Sequence, residues 1–239
     1  MADSFHDTGP LYGIGVGPGD PELITLKALR ILQSCPVVAY PAPRNGDSMA
    51  RAIAAPHLPG GQEEIVIRMA LDAGHGPLEA AYDEAAMAVA GHLDAGRDVA
   101  ALCEGDPFFY GSFMYLFARL ADRHRVEVVP GVSSLVAGPA ALGMPLAARD
   151  DTLVVAPATL PEEALRARLE GADAAVIIKV GRHLDKVRRV LDGLGLIGQA
   201  HYIEHATMAD QRMAPLAEAG PRAPYFSMVV VHRRGAAWR

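Results

Sequence analysis

Two glycine-rich segments carry the residue types and spacing with the clearest chemical meaning. The segment 11–23 reads LYGIGVGPGDPEL, and its Gly-Asp-Pro triplet recurs at 105–107 within CEGDPFFYGS. Glycine lets the backbone approach a ligand closely or adopt a positive φ, and a helix that begins after such a loop offers unpaired N–H groups. The two segments therefore predict a ligand site built largely from main-chain atoms.

The spacing within these segments excludes two common nucleotide-binding motifs. The dinucleotide fingerprint GxGxxG requires a third glycine where this chain has Pro18 or Asp20, and no acidic residue follows about twenty positions later. The motif GxxxxGK[ST] fails because no lysine directly follows the glycines. A purely structural turn and a chance repetition of the triplet stay open as alternatives.

The histidines and cysteines show no familiar catalytic or metal-binding pattern. His201 and His205 have the spacing of a helical metal site, but the intervening Tyr and Ile favour a strand, which offers no further ligands. Cys35 and Cys103 belong to no CxxC pair and are predicted to be small core residues. Since GxSxG is also missing, we expect neither a metal site nor a nucleophilic triad.

The first 130 residues alternate short apolar runs with helical patterns, as parallel α/β units do. Asp20 is placed to cap a helix that runs to about Ser34, and Ser48 to cap a short helix that ends at Pro56. A proline-rich loop is predicted at 41–48. The predicted strands are 11–16, 37–40, 65–68, 99–102 and 126–129, with further helices at 78–95 and 113–120.

The segment PGVSS at 130–134 interrupts this alternation and predicts a domain boundary. We expect an N-terminal α/β domain at 1–130 and a C-terminal α/β domain at 131–239. The predicted strands of the second domain are 152–156, 174–179, 201–205 and 225–232. Ligands of open parallel sheets bind outside the carboxyl ends of the strands, so both glycine-rich loops are expected at one such edge.

The composition favours a small-molecule partner. The net charge of −6 and the pI near 5.8 argue against a broad cationic field for nucleic acid. No apolar run reaches the roughly 18 residues of a membrane span, and the opening MADSFHDTG lacks a signal-peptide apolar region. We therefore expect a cytoplasmic protein with no membrane or nucleic-acid partner.

Several motifs taken together resemble the tetrapyrrole methylases, which transfer a methyl group from S-adenosylmethionine. They extend over nearly the whole chain: GIGVGPGDPELITLKALRILQ, EGDPFFYGS, VPGVSS, IIKVG and IEHATMADQRM. The resemblance implies a homodimer whose subunits have two α/β domains, each a mixed sheet flanked by helices. It places S-adenosylmethionine in a cleft between the domains.

Within this family, VVAYPAPRNGDSMARAIA and EGDPFFYGSFMYL are most similar to members that methylate carbon 20 of precorrin-2 in cobalamin biosynthesis. The members that act on uroporphyrinogen III typically carry Asp after the tyrosine of the second strand. This chain has Pro41 after Tyr40, which argues against that earlier step and leaves the acid/base role of the Asp unfilled. Transfer to another ring carbon, a cobalt-bound acceptor, transfer to ribosomal RNA ribose and a noncatalytic sensor stay open as alternatives.

The resemblance also implies which residues bind the donor. Motif by motif, these cofactor-binding positions are Pro18, Glu104, Gly105, Asp106, Phe109, Ser133, Ser134, Val180, Ala206 and Thr207. We expect Asp106 to orient the second loop rather than to carry a proton, because Pro107 fixes the turn beside it.

The chemistry of methyl transfer explains why no nucleophile is visible. A sulfonium methyl donor is already activated and the reduced macrocycle is electron-rich, so the protein has to align the two and exclude water, without a metal. A base must still take the proton from the methylated carbon, and the sequence leaves Tyr40, Tyr110, His205 and bound water as candidates. The carboxylates of the substrate predict cationic partners, for which we select Arg44 and Arg212, with Arg68 and Arg149 as weaker candidates.

Overall fold

In the computed structural model, which describes residues 8–69 and 75–235, the chain divides into two compact units between Ser133 and Ser134. Each unit contains a five-stranded sheet with helices packed on both faces, so the predicted α/β class is confirmed. The division falls at 133 rather than at the predicted 130. The physical reason is that Gly131 packs against Gly15 and Gly105, which keeps residues 130–133 with the first unit.

The sheet of the first unit is entirely parallel. Its strands are β1 Leu11–Gly15, β2 Val37–Pro43, β3 Glu63–Met69, β4 Val99–Cys103 and β5 Val126–Val129. Its helices are α1 Leu26–Ser34, α2 Met49–Ala54, α3 His75–Asp94 and α4 Phe113–Leu120. The strand order is β3-β2-β4-β1-β5. The expected mixed sheet is therefore wrong for this unit, because every strand reaches the next through a helix and all five run the same way.

Both faces of this sheet are covered by helices. Leu32 of α1 and Ile53 of α2 pack on one face, and Tyr82 of α3 and Phe113 of α4 pack on the other. Strand β4 is buried at every position, as a parallel strand between two helical layers should be. In the part of the chain that the structure describes, every helix is too short or too polar to cross a membrane.

Two local predictions in this unit need correction. Asp20 caps a single 3-10 turn at Pro21–Leu23, and α1 begins later, capped by the hydroxyl of Thr25. Strand β2 continues through Pro41 and Pro43, which were predicted to lie in a loop. Beyond residue 39, β2 is paired only with β3, so its other edge is open. The two prolines are two residues apart and face this open edge, where the N–H that proline lacks is not needed for pairing.

The second unit has a mixed sheet in the order β6-β7-β10-β8-β9. Its strands are β6 Leu153–Pro157, β7 Ala174–Ile178, β8 Ala200–Glu204, β9 Arg212–Pro215 and β10 Ser227–His232. Its helices are α5 Ser134–Ala141, α6 Glu162–Leu169 and α7 Leu184–Gly193. Strand β10 is antiparallel to both β7 and β8, so the carboxyl ends of β7 and β8 lie at the same edge of the sheet.

The prediction missed β9 and extended β7, β8 and β10 by one or two residues too far. Strand β9 is a short edge strand with exposed Arg212 and Pro215, so it lacks the apolar alternation that marks a strand in sequence. His205 was predicted to end a strand, but its φ of +48° places it outside β8. Strand β10 likewise begins at Ser227 rather than at 225.

A cluster of hydrogen bonds around the carboxylate of Asp151 joins the last strand of this unit to the segment before β6. Asp151 accepts hydrogen bonds from the backbone of Ala148 at 2.8 Å, from Nε2 of His232 at 3.1 Å and from Arg234 at 2.7 Å. The His232 ring is completely buried. The N–H of Ala148, followed by His232 and Arg234, lowers the pKa of Asp151 to about 2.

We expect this cluster to make part of the folding stability depend on pH. Because the pKa of Asp151 is lower in the folded than in the unfolded chain, its contribution is complete above about pH 4 and is lost as the pH falls towards 2. Asp151→Asn should reduce stability at pH 7 and remove this part of the acid dependence, as measured by urea unfolding between pH 2.5 and 7. The exposed neighbour supplies a matched control, Asp150→Asn, and equal pH profiles for the two variants would contradict the assignment.

Candidate active site

At the carboxyl ends of β1 and β4, the two glycine-rich loops are hydrogen-bonded to each other. The N–H of Gly105 donates to the carbonyl of Gly17 over 2.7 Å, and the N–H of Gly17 donates to the carbonyl of Gly105 over 3.3 Å. Their φ angles are +65° and +82°, which favour glycine. The structure therefore joins the two loops that the sequence suggested as parts of one ligand site.

A third loop packs against this pair through Gly131. A Cβ atom added to Gly131 would lie 2.1 Å from the carbonyl oxygen of Gly105 and 2.7 Å from the Cα of Gly15. A Cβ on Gly15 would in turn lie 2.5 Å from the nitrogen of Gly131. Only glycine permits this backbone contact, so the three loops form one unit whose main-chain groups can reach a ligand.

Asp106 ties the second loop to the third. Its Oδ1 accepts the N–H groups of Phe108 at 2.9 Å and Phe109 at 3.1 Å, and its Oδ2 accepts the N–H of Gly131 at 3.1 Å. Both carboxylate oxygens are thus engaged with the backbone. This arrangement agrees with a role in orienting the loops, as expected from the turn at Pro107, rather than in proton transfer.

Glu104 connects the second loop to the helix on the same side of the sheet. Its carboxylate accepts the N–H of Ala50 at 3.2 Å, in the first turn of α2, whose start is capped by the hydroxyl of Ser48. Burial raises the pKa of Glu104, and the backbone N–H groups oppose that rise in part. The side chain therefore fixes the position of α2 against the end of β4.

The other residues expected at the donor in this unit lie around the same loops. Pro18 is buried next to Gly17, and Ser133 lies with its Cα 3.7 Å from the position of a Cβ on Gly105. The ring of Phe109 packs edge-on against Tyr110, with 5.2 Å between the ring centroids. Tyr110 itself has a φ of +55° and is about half exposed.

After β1 and β4 the chain turns to opposite faces of the sheet. Helix α1 follows β1 and packs on one face of the sheet, whereas α4 follows β4 and packs on the opposite face. Adjacent parallel strands whose connections diverge in this way create a crevice outside their carboxyl ends, which is the usual binding position in open α/β sheets. The joined glycine loops lie at that position in the first unit.

Tyr40, a candidate base, lies in an ion-pair network. Its hydroxyl donates to the carboxylate of Glu64, which also accepts the Nε of Arg51 at 3.2 Å and an η nitrogen of Arg51 at 3.0 Å. Burial and the Glu64 carboxylate raise the pKa of Tyr40, while Arg51 and Tyr40 lower the pKa of Glu64. The phenol therefore retains its proton and donates it to Glu64, which makes Tyr40 a poor proton acceptor.

The two arginines near the end of β2 have different surroundings. Arg68 donates to the carbonyls of Pro43 at 3.2 Å and Gly46 at 2.9 Å, so it holds the loop that follows β2. Arg44 belongs to that loop and is exposed. The loop therefore presents Arg44 to solvent, where it can meet an anionic ligand, while Arg68 stabilises the loop.

In the second unit, the predicted donor-binding residues lie at the carboxyl ends of β7 and β8. Val180 follows β7, and Ala206 and Thr207 follow β8; Val180 and Ala206 are buried. Lys179, His205 and Thr207 have φ angles of +57°, +48° and +68°. Such strained non-glycine residues collect at functional sites, so this edge of the sheet is the second candidate site region.

The loop after β8 is held by two of its own side chains. Nδ1 of His205 lies 2.6 Å from Oδ2 of Asp210, and the side-chain oxygen of Gln211 accepts the N–H of Thr207 at 2.6 Å. The backbone of His205 is fixed as well, because its N–H donates to the carbonyl of Phe226 at 2.9 Å. The loop thus holds the His205 ring in a defined orientation.

Two further predicted residues lie in less specific surroundings. Ser134 is the first residue of α5. Arg212 is on β9, and its side chain is 82% exposed, with Nε 3.7 Å from the carboxylate of Glu204. Such an exposed pair contributes little to stability, so the guanidinium of Arg212 can leave Glu204 and bind a ligand at little cost.

Sequence reasoning missed three residues that shape these regions. Gly131 was quoted within PGVSS, and its type could have suggested a close backbone approach. Glu64 lies on an edge strand among other charged residues, and no sequence signal pairs it with Tyr40. Gln211 shares its motif with the predicted donor-binding residues Ala206 and Thr207, but its bond to a backbone N–H four residues earlier is visible only in the structure.

Residues 8–69 and 75–235 contain no group of three or more His, Cys, Asp or Glu side chains arranged to hold a metal ion. His201 lies on β8, whereas His205 lies in the loop that follows, paired with Asp210.

Comparison with known proteins extends the evidence to most of the chain. Residues 10–220 match the family described as Tetrapyrrole (Corrin/Porphyrin) Methylases. The CobIJ cobalamin biosynthesis protein of Mycobacterium tuberculosis is 46% identical over 232 residues, which are 93% of this chain and 46% of that protein. The chain thus spans about half the length of the CobIJ proteins.

A relative of similar length and a solved structure are both methyltransferases. The precorrin-2 C(20)-methyltransferase of a Sinorhizobium species is 44% identical over 232 residues, 93% of this chain and 95% of that protein. A crystal structure of the uroporphyrin-III C-methyl transferase of Thermus thermophilus, complexed with S-adenyl homocysteine, is similar with a TM-score of 0.69 and 26% identity, over 93% of this chain and 97% of that one. Because the family match includes both glycine-rich loops and the loop after β8, the chain belongs to the tetrapyrrole (corrin/porphyrin) methylases.

Proposed function

We propose that this chain transfers the methyl group of S-adenosylmethionine to carbon 20 of precorrin-2, giving precorrin-3A, in cobalamin biosynthesis. The observation that carries the proposal is the junction of three loops at Gly17, Gly105 and Gly131, in a chain 44% identical to a precorrin-2 C(20)-methyltransferase over nearly the full length of both. The solved relative that binds S-adenyl homocysteine supports the choice of donor.

The residues around the loop junction suit this donor. At Gly15 and Gly131 the space that a Cβ would fill is taken by the backbone of the neighbouring loop, so the loops pack closely enough to offer a continuous main-chain surface to a ligand. Pro18, Gly105, Asp106, Phe109 and Ser133 in the first unit, and Val180, Ala206 and Thr207 in the second, are the proposed donor-binding residues, together with Glu104 and Ser134. When bound, S-adenosylmethionine supplies an electrophilic methyl group on a sulfonium centre.

The chain's own contribution is mainly positional. Holding two reactants in a near-attack arrangement can lower a barrier by roughly 7–11 kcal/mol, and an activated donor requires neither a nucleophilic side chain nor a metal. Arg44 and Arg212 are proposed to bind the substrate carboxylates, because both guanidinium groups are exposed for charge-assisted hydrogen bonds. The protein is proposed to act as a homodimer in the cytoplasm, and light scattering of the purified protein tests the dimer.

Product analysis tests the proposed reaction directly. The purified chain is incubated with precorrin-2 and S-adenosylmethionine labelled with ¹³C in its methyl group, and the product is examined by mass spectrometry and NMR. We expect one added methyl group, with the label on carbon 20. A label on another carbon indicates a different member of the family, and donor binding without transfer indicates a noncatalytic sensor; either result contradicts the proposal. A parallel reaction with the cobalt complex shows which acceptor is preferred.

A further inference from the structure

We propose that Nε2 of His205 accepts the proton that carbon 20 loses after methyl transfer, and that Asp210 is the positioning residue that orients the imidazole for this step. The inference rests on the proposed function, since it assigns a base to that reaction. It is carried by the geometry of the loop between β8 and β9.

The hydrogen bond between His205 and Asp210 determines which ring nitrogen is available. A carboxylate only accepts, so at a distance of 2.6 Å Nδ1 carries the proton and donates it to Oδ2 of Asp210. Nε2 is then the nitrogen with a free lone pair, and it has no hydrogen-bond partner among residues 8–69 and 75–235. A histidine oriented in this way by a carboxylate is the usual form of a general base.

The backbone around His205 keeps the ring in place. Its φ of +48° is uncommon for a residue with a side chain, and it is held by the bond from its N–H to Phe226 and by the N–H of Met208, which donates to the carbonyl of His205 over 2.9 Å. The side chain is 23% exposed, so most of the ring is packed and part of it is accessible. Strain of this kind persists where the surroundings impose it, which is typical of functional positions.

The chain position of His205 places it at the expected donor site of the second unit. It directly precedes Ala206 and Thr207, and Gln211 closes the loop by accepting the N–H of Thr207. A base within this loop is therefore held by the same contacts as two of the proposed donor-binding residues.

The proposed step is balanced in atoms and electrons. A π-electron pair of the macrocycle forms the bond between carbon 20 and the methyl carbon, and the pair of the broken C–S bond stays on sulfur. The hydrogen on carbon 20 then leaves as a proton to Nε2, and its bonding pair restores the π system. The resulting imidazolium is stabilised by the Asp210 carboxylate and later gives its proton to water.

Other candidates are less suited to this role. The hydroxyl of Tyr40 is committed to Glu64 as a donor. Nδ1 of His201 is buried without a partner among the described residues, so no carboxylate orients that ring. Tyr110 is about half exposed, whereas the His205 side chain is 23% exposed, so the phenol is packed less firmly than the imidazole.

The test uses a variant that the backbone accommodates. Glycine suits a φ of +48°, so His205→Gly should fold, and His205→Asn provides a second variant because Asn also tolerates this region. The substrate of the assay is precorrin-2 that carries deuterium at carbon 20. In His205→Gly we expect a single-turnover rate about 10²–10⁴-fold below that of the wild type, with an affinity for S-adenosylmethionine within about twofold of the wild type. A primary isotope effect should appear in the variant, and added imidazole should restore part of the rate.

Asp210→Asn tests the positioning role. Made alone, it should lower the rate by about tenfold. Made together with His205→Gly, it should have no further effect, because His205 and Asp210 act as a pair. Asp192→Asn, at an exposed position of α7, is the matched control and should leave the rate unchanged. A His205→Gly rate near that of the wild type, or a slow rate without an isotope effect or imidazole response, overturns the inference. If the wild type itself transfers no methyl group to precorrin-2, the proposed function fails instead.

Discussion

Asp106→Ala is expected to weaken S-adenosylmethionine binding by roughly 10- to 100-fold in isothermal titration calorimetry. The change removes a carboxylate that accepts three backbone N–H groups, from Phe108, Phe109 and Gly131. Hydrogen bonds to charged groups contribute about 1.5–3 kcal/mol each, and the abandoned donors would no longer hold the second and third loops together. The donor site would then have to be reordered on binding, which lowers the affinity.

Two further variants separate this effect from a general loss of charge. Asp106→Asn keeps one acceptor oxygen, so it should retain an intermediate affinity. Asp122→Ala removes an exposed carboxylate after α4 and should bind as the wild type does. Unchanged affinity in a folded Asp106→Ala protein would show that the carboxylate does not organise the donor site.

Gly131→Ala is expected to destabilise the protein by roughly 3 kcal/mol and to abolish detectable donor binding. The new Cβ would lie 2.1 Å from the carbonyl oxygen of Gly105 and 2.7 Å from the Cα of Gly15, both of them backbone atoms. Neither atom can move away without separating the loops. Urea unfolding measures the stability, and calorimetry measures the binding.

The matched control for Gly131→Ala is a glycine at which an added Cβ has open space around it. Gly91 lies in α3, and a Cβ added there meets nothing within 4 Å. Gly91→Ala should therefore raise stability by about 0.5–1 kcal/mol, as alanine usually does in a helix, and leave binding unaffected. If Gly131→Ala behaves like Gly91→Ala, the close packing of the three loops is wrong.

Local sequence patterns were sufficient for the α/β architecture but not for its edges. Strand β4 is an apolar run buried on both faces, and Ser48 caps α2 as its type suggests, because both features depend on near neighbours in the chain. The extension of β2 through Pro41 and Pro43 depends on which of its edges is paired. That information belongs to the sheet and is absent from the local sequence.

The candidate site shows the same limit. The repeated Gly-Asp-Pro triplet predicted two related loops, and the structure joins them at Gly17 and Gly105. The partner of Tyr40 comes from a separate strand, and the orientation of His205 depends on a loop that a strand-like pattern concealed. Strained residues depart from the rules of local propensity, so sequence reasoning fails at these positions of the candidate site.

A crystal structure of the protein with S-adenosylhomocysteine tests the central claim most directly. The account predicts that the ligand contacts the backbone of the first loop near Gly17 and of the second loop at 104–109, with the Gly17–Gly105 hydrogen bonds intact. A ligand bound away from these loops, or loops that separate and face different surfaces, would contradict it.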